Sequence, residues 1–187
     1  ALCEANGIVF IGPKSQVMES MGDKDHARRL MKEIGVPVVP GTEILKDVAE
    51  AKALAEEIGF PLLVKATAGG GGKGIRVVNS REELEHAFFT ASAEAKSAFG
   101  NGEVFLEKYL THVRHVEMQI LADHFGNMVC LGERDCSLQL NKQKVLEETP
   151  SPVMTEEIRS KMMAAAMKAA KAANYTNAGT VEFLLAP

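Results

Sequence analysis

The chain has 187 residues, a formal net charge of −4, no tryptophan and two tyrosines. This acidic balance and the scarcity of aromatic side chains argue against a nucleic-acid surface, which needs basic patches and stacking rings. No apolar run is long enough to cross a membrane, so neither a nucleic acid nor a membrane is expected as a partner.

The cysteines bear on the compartment in which the protein works. Cys3, Cys130 and Cys136 are odd in number and lack the spacing of a metal site, and no signal-peptide pattern is present. We therefore predict a reduced, cytoplasmic protein whose cysteines are small buried hydrophobic residues. The chain opens without Met and closes on an apolar, strand-like run, which predicts a piece cut from a longer polypeptide.

The first forty residues predict a strand, two helices and an extended connector. IVFIG, residues 8–12, predicts a buried strand at the end of an upstream sheet. A helical pattern from Ser15 breaks near residue 22, and Asp23 can cap a second helix that ends at Gly35. The proline-flanked segment VPVVPG predicts an extended connector.

A small α+β unit is predicted next. It comprises a helix in VAEAKALAEEIG, strands in PLLVKAT and GIRVV with a glycine loop between them, and a strand in VFLEKYL. Ser80, followed three residues later by Glu83, has the pattern of a capping box for a helix that runs toward Gly100.

The rest of the chain predicts a hairpin, a long helix and a last strand. RHVEMQILAD and MVCLGERD form the hairpin, and its turn lies at residues 126–127. Alternation in its first strand places His115, Glu117 and Gln119 on one face. The polar stretch NKQKVLEETPSP is assigned no helix or strand. Methionines and alanines of the following helix are predicted to fill the core, and GTVEFLL predicts the last strand.

The segment VKATAGGGGKGIR carries the first sign of chemistry. Glycines bring backbone N–H groups close to a phosphate because no Cβ intervenes, and the lysines add positive charge. The loop lies between two strands, so it is neither a Walker A loop nor a dinucleotide-binding loop. It suits a hairpin lid over phosphates, although a flexible surface loop is the alternative. Lys65, on an apolar strand, is expected to have an anionic partner.

Six segments together resemble the biotin carboxylases, which are ATP-grasp subunits or domains of acetyl-CoA, propionyl-CoA and pyruvate carboxylases. In chain order they are MGDK (21–24), VKATAGGGGKGIR (64–76), EKYLTHVRHVEMQILAD (107–123), GERDCSLQ (132–139), QKVLEETPSP (143–152) and AGTVEFL (178–184). The resemblance covers essentially the whole chain. It implies an α+β ATP-grasp fold, with the end of the N-terminal domain at 1–36, the lid or B subdomain at 37–109 and the first half of the core subdomain at 110–187.

The resemblance also implies an activity for the whole protein. Biotin carboxylases carboxylate carrier-bound biotin with MgATP and bicarbonate through carboxyphosphate, and Mn²⁺ is a possible substitute for Mg²⁺. A biotin carboxyl carrier protein and a carboxyltransferase would be partners, and an acetyl-CoA carboxylase would serve fatty-acid synthesis. The family's second metal carboxylate and its bicarbonate and biotin contacts follow the strand VEFL, beyond Pro187. The 187-residue chain alone is therefore expected to be inactive.

Site residues are implied position by position. Lys144 would be the catalytic lysine near bicarbonate and the transferring phosphoryl group, and Glu182 would hold magnesium. Lys24 and Lys65 would contact the phosphates, and the loop glycines would cover them. The remaining ATP contacts would be Glu107, Lys108 and Leu110 along the adenine, His115 and Gln139 near the ribose and phosphates, and Leu184 on the adenine. The loop glycines are Gly69, Gly70, Gly71, Gly72 and Gly74.

One segment departs from the family pattern. Where the family usually has Arg-Arg-x-Gln-Lys, this chain has Leu140-Asn141-Lys142-Gln143-Lys144. Lys142 is an ATP-binding candidate, and a solvated charge is the alternative. Two other functions stay open: a different ATP-grasp ligase such as a carbamoyl-phosphate synthetase, and a catalytically silent nucleotide-binding or structural module.

Overall fold

The computed structural model describes residues 1–68, 74–141 and 143–186 and divides the chain into two compact units. The first unit comprises Ala1–Gly22, His26–Pro37 and His112–Pro187, and the second comprises Asp23–Asp25 and Val38–Thr111. The helices are α1 (Leu2–Ala5), α2 (Ser15–Gly22), α3 (Lys24–Glu33), α4 (Val48–Ile58), α5 (Arg81–Phe99) and α6 (Glu156–Ala172). The strands are β1 (Leu62–Ala66), β2 (Ile75–Val78), β3 (Val104–Lys108), β4 (Arg114–Ala122), β5 (Met128–Leu140), β6 (Gln143–Glu148) and β7 (Asn177–Leu185).

The second unit is an antiparallel sheet, in the order β2-β1-β3, with α4 and α5 packed on it. Strand β1 alternates as its sequence predicts: Leu62, Val64 and Ala66 are buried in the core. The opposite face carries Lys65, which is partly exposed. A charged side chain therefore stands on the face of the sheet that the core does not use.

Helix α4 is fixed at both ends by specific contacts. At its start, the Asp47 side chain accepts a hydrogen bond from the Glu50 amide at 2.8 Å. At its end, Gly59 has a positive φ of 75°. The Lys108 ammonium group on β3 donates to the carbonyls of Gly59 and Phe60 at 3.0 and 3.1 Å. A lysine from a distant strand thus satisfies carbonyls that follow the helix.

The first unit is an antiparallel sheet in the order β6-β5-β4-β7, with α6 on one face. Val116, Met118 and Ile120 of β4 are at most 1% exposed and belong to the same cluster as Met162 and Ala166 of α6. The prediction that the methionines and alanines of this helix fill the core is confirmed. The other face of β4 carries Glu117 and Gln119, as the alternation predicted.

The hairpin of β4 and β5 contains an irregularity that sets its register. Asp123 accepts hydrogen bonds from the amides of Phe125 and Asn127, which closes the predicted turn. Beyond Ile120, which pairs with Cys130, the register shifts by one residue. Gly132 lies in this bulge with a φ of 112°, a conformation that favours glycine.

Two local predictions are wrong, and one strand was not predicted. Residues 8–12 form no strand, and the side chains of Val9 and Ile11 are exposed, because no described strand pairs with this segment. The polar stretch at 141–152 contains β6, which pairs with β5. Helix α5 starts where predicted but lacks the capping box: Ser80 makes no capping bond to the backbone, and Glu83 accepts from the Asn79 amide instead.

Within the described ranges, no helix has the length and apolar character required to cross a bilayer.

Gly179 on β7 offers a test of packing in the first unit. A Cβ at this position would overlap the Tyr175 hydroxyl, which donates to the Ala178 carbonyl. Gly179→Ala should therefore displace this ring and lower the free energy of unfolding by roughly 1–3 kcal/mol. Urea unfolding would measure the loss. Gly22→Ala is the control, since nothing lies within 4 Å of its Cβ position; equal losses in the two variants would contradict the expectation.

Candidate functional site

Two lysines and a carboxylate meet in the second unit. Lys65 Nζ lies 2.9 Å from Glu107 Oε1, so the expectation of an anionic partner for Lys65 is confirmed. Lys24 belongs to the same unit, and its pKa is lowered by burial and then by the positive charge of Lys65, against the opposing effect of Glu107. Two cations that repel each other in this way fit an anion such as a phosphate group.

The other predicted nucleotide contacts of the second unit differ in whether their backbone groups already have hydrogen-bond partners. The Lys108 amide donates to the Pro40 carbonyl at 2.7 Å, so this N–H group is already engaged. Leu110 follows the end of β3 and is half-buried. The Gly74 amide, directly before β2, donates to the Glu94 carboxylate at 3.0 Å. Gly69, Gly70, Gly71 and Gly72 lie outside the described residues, as does Lys142 of the first unit.

In the first unit, the predicted metal carboxylate and the predicted catalytic lysine are in contact. Glu182 on β7 pairs directly with Glu117 on β4, so their side chains share one face of the sheet. Lys144 on β6 donates to Glu117 Oε2 at 2.5 Å and to Glu182 Oε1 at 2.9 Å. One ammonium group therefore bridges two carboxylates from neighbouring strands.

Glu117 is the buried member of this network and is 4% exposed. Burial alone would raise its pKa, but hydrogen bonds from Lys144 and Arg134 outweigh burial and hold the pKa below its usual value. For Lys144, burial would lower the pKa, and the bonds to Glu117 and Glu182 raise it instead. The carboxylate and the ammonium group are both charged at neutral pH.

The predicted ribose and phosphate contacts join the same network. His115 Nε2 lies 3.4 Å from Glu182 Oε1, and His115 Nδ1 lies 2.7 Å from Gln139 Nε2. Leu184 pairs with His115 in the register of β4 and β7 and is about half exposed. The structure thus brings Lys144, Glu182, His115, Gln139 and Leu184 to one face of one sheet.

Glu182 fits a magnesium ligand better than the acidic residues beside it. Its side chain is 55% exposed, and a carboxylate oxygen is the ligand that Mg²⁺ prefers. Glu117, Cys136 and Glu147 also have ligand atoms within 4.8 Å of one another. Arg134 and Lys144 already balance these acids, so we assign no metal to that cluster.

Cys136 should be the least reactive of the three thiols. It is fully buried, and burial, followed by the charge of Glu117, raises its pKa to about 11. The thiolate fraction near pH 8 is then about a hundredfold lower than for a thiol at the ordinary pKa of 9.0. Iodoacetamide, followed by mass spectrometry, should label Cys3 and Cys130 in the folded chain and Cys136 only in denaturant. Equal labelling of all three cysteines in the folded chain would contradict this prediction.

Sequence analysis missed Arg134 and the buried role of Glu117. Arg134 Nε donates to Glu117 Oε1 at 2.7 Å, and Arg134 Nη2 donates to Gln119 Oε1 at 2.9 Å. The sequence offered one signal for these contacts, the polar side chains of Glu117 and Gln119 on the outer face of β4. It did not identify their partners, because the residue that lies opposite each of them depends on the register of β5.

The fold, the lysine pair beside Glu107 and the network around Lys144 point to one class of protein. The chain belongs to the family of the carbamoyl-phosphate synthase L chain ATP-binding domain, whose profile matches residues 23–187. This is the ATP-grasp family, as the resemblance implied.

Within this class, the similarity is to biotin carboxylases. The chain is 55% identical to biotin carboxylase 1 of Bacillus subtilis (strain 168), across 98% of this chain and 41% of that protein. It is 51% identical to the 2-oxoglutarate carboxylase small subunit of Hydrogenobacter thermophilus, across 98% and 39% of the two chains. The chain thus spans about two fifths of the length of these relatives.

Solved structures of biotin carboxylases show the same similarity. A Campylobacter jejuni biotin carboxylase in a beta-gamma-ATP complex superposes with a TM-score of 0.92 at 46% identity, over 99% of this chain and 42% of that one. The biotin carboxylase domain of Hydrogenobacter thermophilus 2-oxoglutarate carboxylase, with MgADP, ADP and bicarbonate, gives 0.89 at 51% identity, over 98% and 41%. The resemblance to biotin carboxylases is confirmed.

Proposed function

We propose that this chain is the nucleotide- and metal-binding part of a biotin carboxylase, an ATP-dependent ligase. The whole protein would use MgATP and bicarbonate to carboxylate biotin on a carrier protein, and a carboxyltransferase would then receive the carboxyl group. The observation that carries the proposal is the charge pattern of the second unit, where Lys24 and Lys65 repel each other beside Glu107. An anionic ligand would relieve that repulsion.

The proposed roles in the second unit follow from its geometry. Lys24 and Lys65 would bind phosphate oxygens. Glu107 holds Lys65 in place, and the chain from Lys108 to Leu110 would line the adenine. This unit would be the lid, predicted at 37–109, with 1–36 as the end of the preceding domain and 110–187 as half of the core.

The first unit would supply the metal and bicarbonate contacts. Glu182 would hold Mg²⁺, or Mn²⁺ in its place, because its half-exposed carboxylate has room for a cation. Lys144 would face bicarbonate and the transferring phosphoryl group. His115, Gln139 and Leu184 would contact the ribose, phosphates and adenine. Magnesium neutralises phosphate charge when it is bound. The carboxylates of Glu117 and Glu182 keep Lys144 protonated.

A second candidate is a nucleotide-binding module without catalytic activity. It is favoured by Leu140 and Asn141, which stand where the family usually has two arginines. The loss of two cations would weaken any contact with a charged substrate.

A cytoplasmic location also belongs to the proposal and is supported by three cysteines that form no disulfide.

Calorimetric titration of the 187-residue chain with MgATP tests nucleotide binding. We expect heat of binding with MgATP and weaker binding with ATP in EDTA.

The full-length protein, incubated with free biotin, bicarbonate and MgATP, should form carboxybiotin. Consumption of ammonia in place of biotin would identify a carbamoyl-phosphate synthetase. Binding without turnover in the full-length protein would favour the silent module.

A further inference from the structure

The glycine loop of the second unit, residues 67–74 between β1 and β2, has a fixed end at Gly74. The Gly74 amide donates to the Glu94 carboxylate on α5 at 3.0 Å, and the Gly74 carbonyl accepts from the Ala66 amide at 2.8 Å. Gly74 is buried, and a buried amide without an acceptor carries the desolvation cost of that group. Both backbone groups of Gly74 are therefore bound, one to helix α5 and one to strand β1.

The backbone at Gly74 has little freedom to move away from Glu94. Its φ is +70°, and a Cβ at this position would lie 2.8 Å from the Ala66 Cβ and 3.5 Å from the Ala95 Cβ. Ala66 and Ala95 are at most 1% exposed and belong to the core of the second unit, so they cannot give way without disturbing its packing. Glycine is required here for a structural reason.

Arg76 restricts the Glu94 side chain. Its Nη2 atom lies 2.9 Å from Glu94 Oε2, the oxygen that also accepts from the Gly74 amide, and its Nη1 atom donates to the Ile75 carbonyl at 2.8 Å. The side chains of Arg76 and Glu94 are 37% and 34% exposed, so water screens their attraction and the pair contributes little stability by itself. The pair instead disfavours rotamers of Glu94 in which its carboxylate would leave the Gly74 amide.

The fixed end of the loop lies beside the proposed phosphate lysine. Lys65 directly precedes Ala66 on β1, and in the register of the sheet it pairs with Ile75, the residue after Gly74. The loop therefore leaves and rejoins the sheet next to Lys65. Because the ends of a short loop restrict the residues between them, the position of Gly74 limits where the N–H groups of the loop can lie relative to Lys65.

We propose that Glu94 and Arg76 are positioning residues, which fix the end of the glycine loop at Gly74 and so hold the loop in place beside Lys65 for the phosphates. The contact between Glu94 and Gly74 does not depend on the proposed function, whereas its effect on phosphate binding rests on that function. Gly74 then ends the loop without donating to a phosphate, because its N–H group stays bound to Glu94.

Amide hydrogen exchange of the ¹⁵N-labelled 187-residue chain, followed by nuclear magnetic resonance, tests the contact without a nucleotide. The Gly74 amide should be protected in the wild type. Glu94→Ala should accelerate its exchange roughly ten- to a hundredfold, since the amide loses a charge-assisted hydrogen bond. Glu94→Gln should restore most of the protection, because a carboxamide oxygen still accepts. A wild-type Gly74 amide that exchanges at the rate of an unstructured peptide would overturn the proposal without any variant.

Glu83→Ala is the matched control. Glu83 lies on the same helix, and its carboxylate accepts from the Asn79 amide at 2.8 Å, just beyond the other end of β2. This variant removes the same charge and the same kind of contact, so it should accelerate exchange at Asn79 and leave Gly74 protected. Backbone amide spectra of both variants establish that the fold is retained. Unchanged Gly74 exchange in folded Glu94→Ala, or equal acceleration at Gly74 in Glu83→Ala, would refute the proposal.

Arg76→Met tests the contribution of the ion pair. It should accelerate Gly74 exchange less than Glu94→Ala does, because the acceptor remains but is no longer restricted. Wild-type exchange at Gly74 together with wild-type MgATP affinity in Arg76→Met would remove Arg76 from the proposal.

Calorimetric titration with MgATP separates this inference from the proposed function. Glu94→Ala should weaken binding roughly tenfold, and Glu83→Ala should leave it unchanged. Equal affinities of folded Glu94→Ala and the wild type would refute the positioning role, even if Gly74 exchanges faster. If the wild-type chain binds no MgATP, the proposed function fails for this chain and the role toward phosphates fails with it. The exchange comparison then still decides whether Glu94 fixes Gly74.

Discussion

Arg159→Met should lower the thermal midpoint of the first unit by roughly 6–20 °C, because it removes the partner of a buried carboxylate. Glu133 on β5 is 4% exposed, and Arg159 of α6 donates to both of its carboxylate oxygens, at 2.9 and 3.0 Å. Methionine preserves most of the volume but leaves Glu133 buried without its cation. Differential scanning calorimetry or circular dichroism would measure the shift.

The control for Arg159 is on the same helix. Glu156, which also contacts Arg159, is 82% exposed, so Glu156→Gln should change the midpoint little. Similar shifts in Arg159→Met and Glu156→Gln would show that the loss belongs to the helix surface and not to the buried acid.

The effect of Arg159→Met should also depend on pH. A hydrogen bond from Arg159 lowers the pKa of Glu133, against the effect of burial. A carboxyl group whose folded pKa is depressed contributes stability above its unfolded pKa, and that stability is lost as pH falls through the folded pKa. The difference between wild type and variant should therefore be largest near neutral pH and shrink below the ordinary glutamate pKa of 4.5. A difference that is constant from pH 7 to pH 3 would contradict this assignment.

Lys65→Met should weaken MgATP binding to the chain roughly ten- to a hundredfold. The proposed contact of Lys65 with phosphate is charge-assisted, and its loss would cost about 1.5–3 kcal/mol. Lys65 lies on the outer face of β1 with its ammonium group set by Glu107, so little reorganisation is needed before it meets an anion. Calorimetric titration with MgATP gives the affinity ratio directly.

Lys52→Met is the matched control for Lys65. Lys52 also pairs with a glutamate in the second unit, Glu85, but this pair joins the surfaces of α4 and α5. The control should bind MgATP as the wild type does. An unchanged affinity in folded Lys65→Met would remove this lysine from the phosphate site, and equal losses in both variants would indicate a general effect of net charge.

Local sequence patterns predicted most helices and strands but not the strands that depend on partners. Residues 8–12 have β-forming side chains, yet within the described chain no neighbouring strand completes them. Strand β6 is the reverse case. Its sequence is mostly polar and did not predict a strand, but pairing with β5 stabilises an extended conformation there. Pairing across a sheet is a tertiary property, and propensity alone does not encode it.

The buried part of the site shows why register limits prediction. Extending the hairpin from Ala122 opposite Met128 without interruption would place Glu117 opposite Glu133, an unfavourable pair of like charges. The bulge at Gly132 shifts the register by one residue and places Glu117 opposite Arg134. The motifs that resemble biotin carboxylases predicted Lys144 and Glu182 as site residues, but the contact of Lys144 with Glu117 became visible only in the structure.

The strand order of the first unit has a consequence for the time at which its charges meet. Strands β4, β5 and β6 follow one another in the chain, whereas β7 comes after α6 and returns to pair with β4. In folding, a contact between residues that are close in the chain costs less loop-closure entropy. Lys144 and Glu117 are 27 residues apart, whereas Lys144 and Glu182 are 38 residues apart and α6 lies between their strands. We therefore expect the meander of β4, β5 and β6 to give Glu117 its counter-ion before β7 pairs with β4.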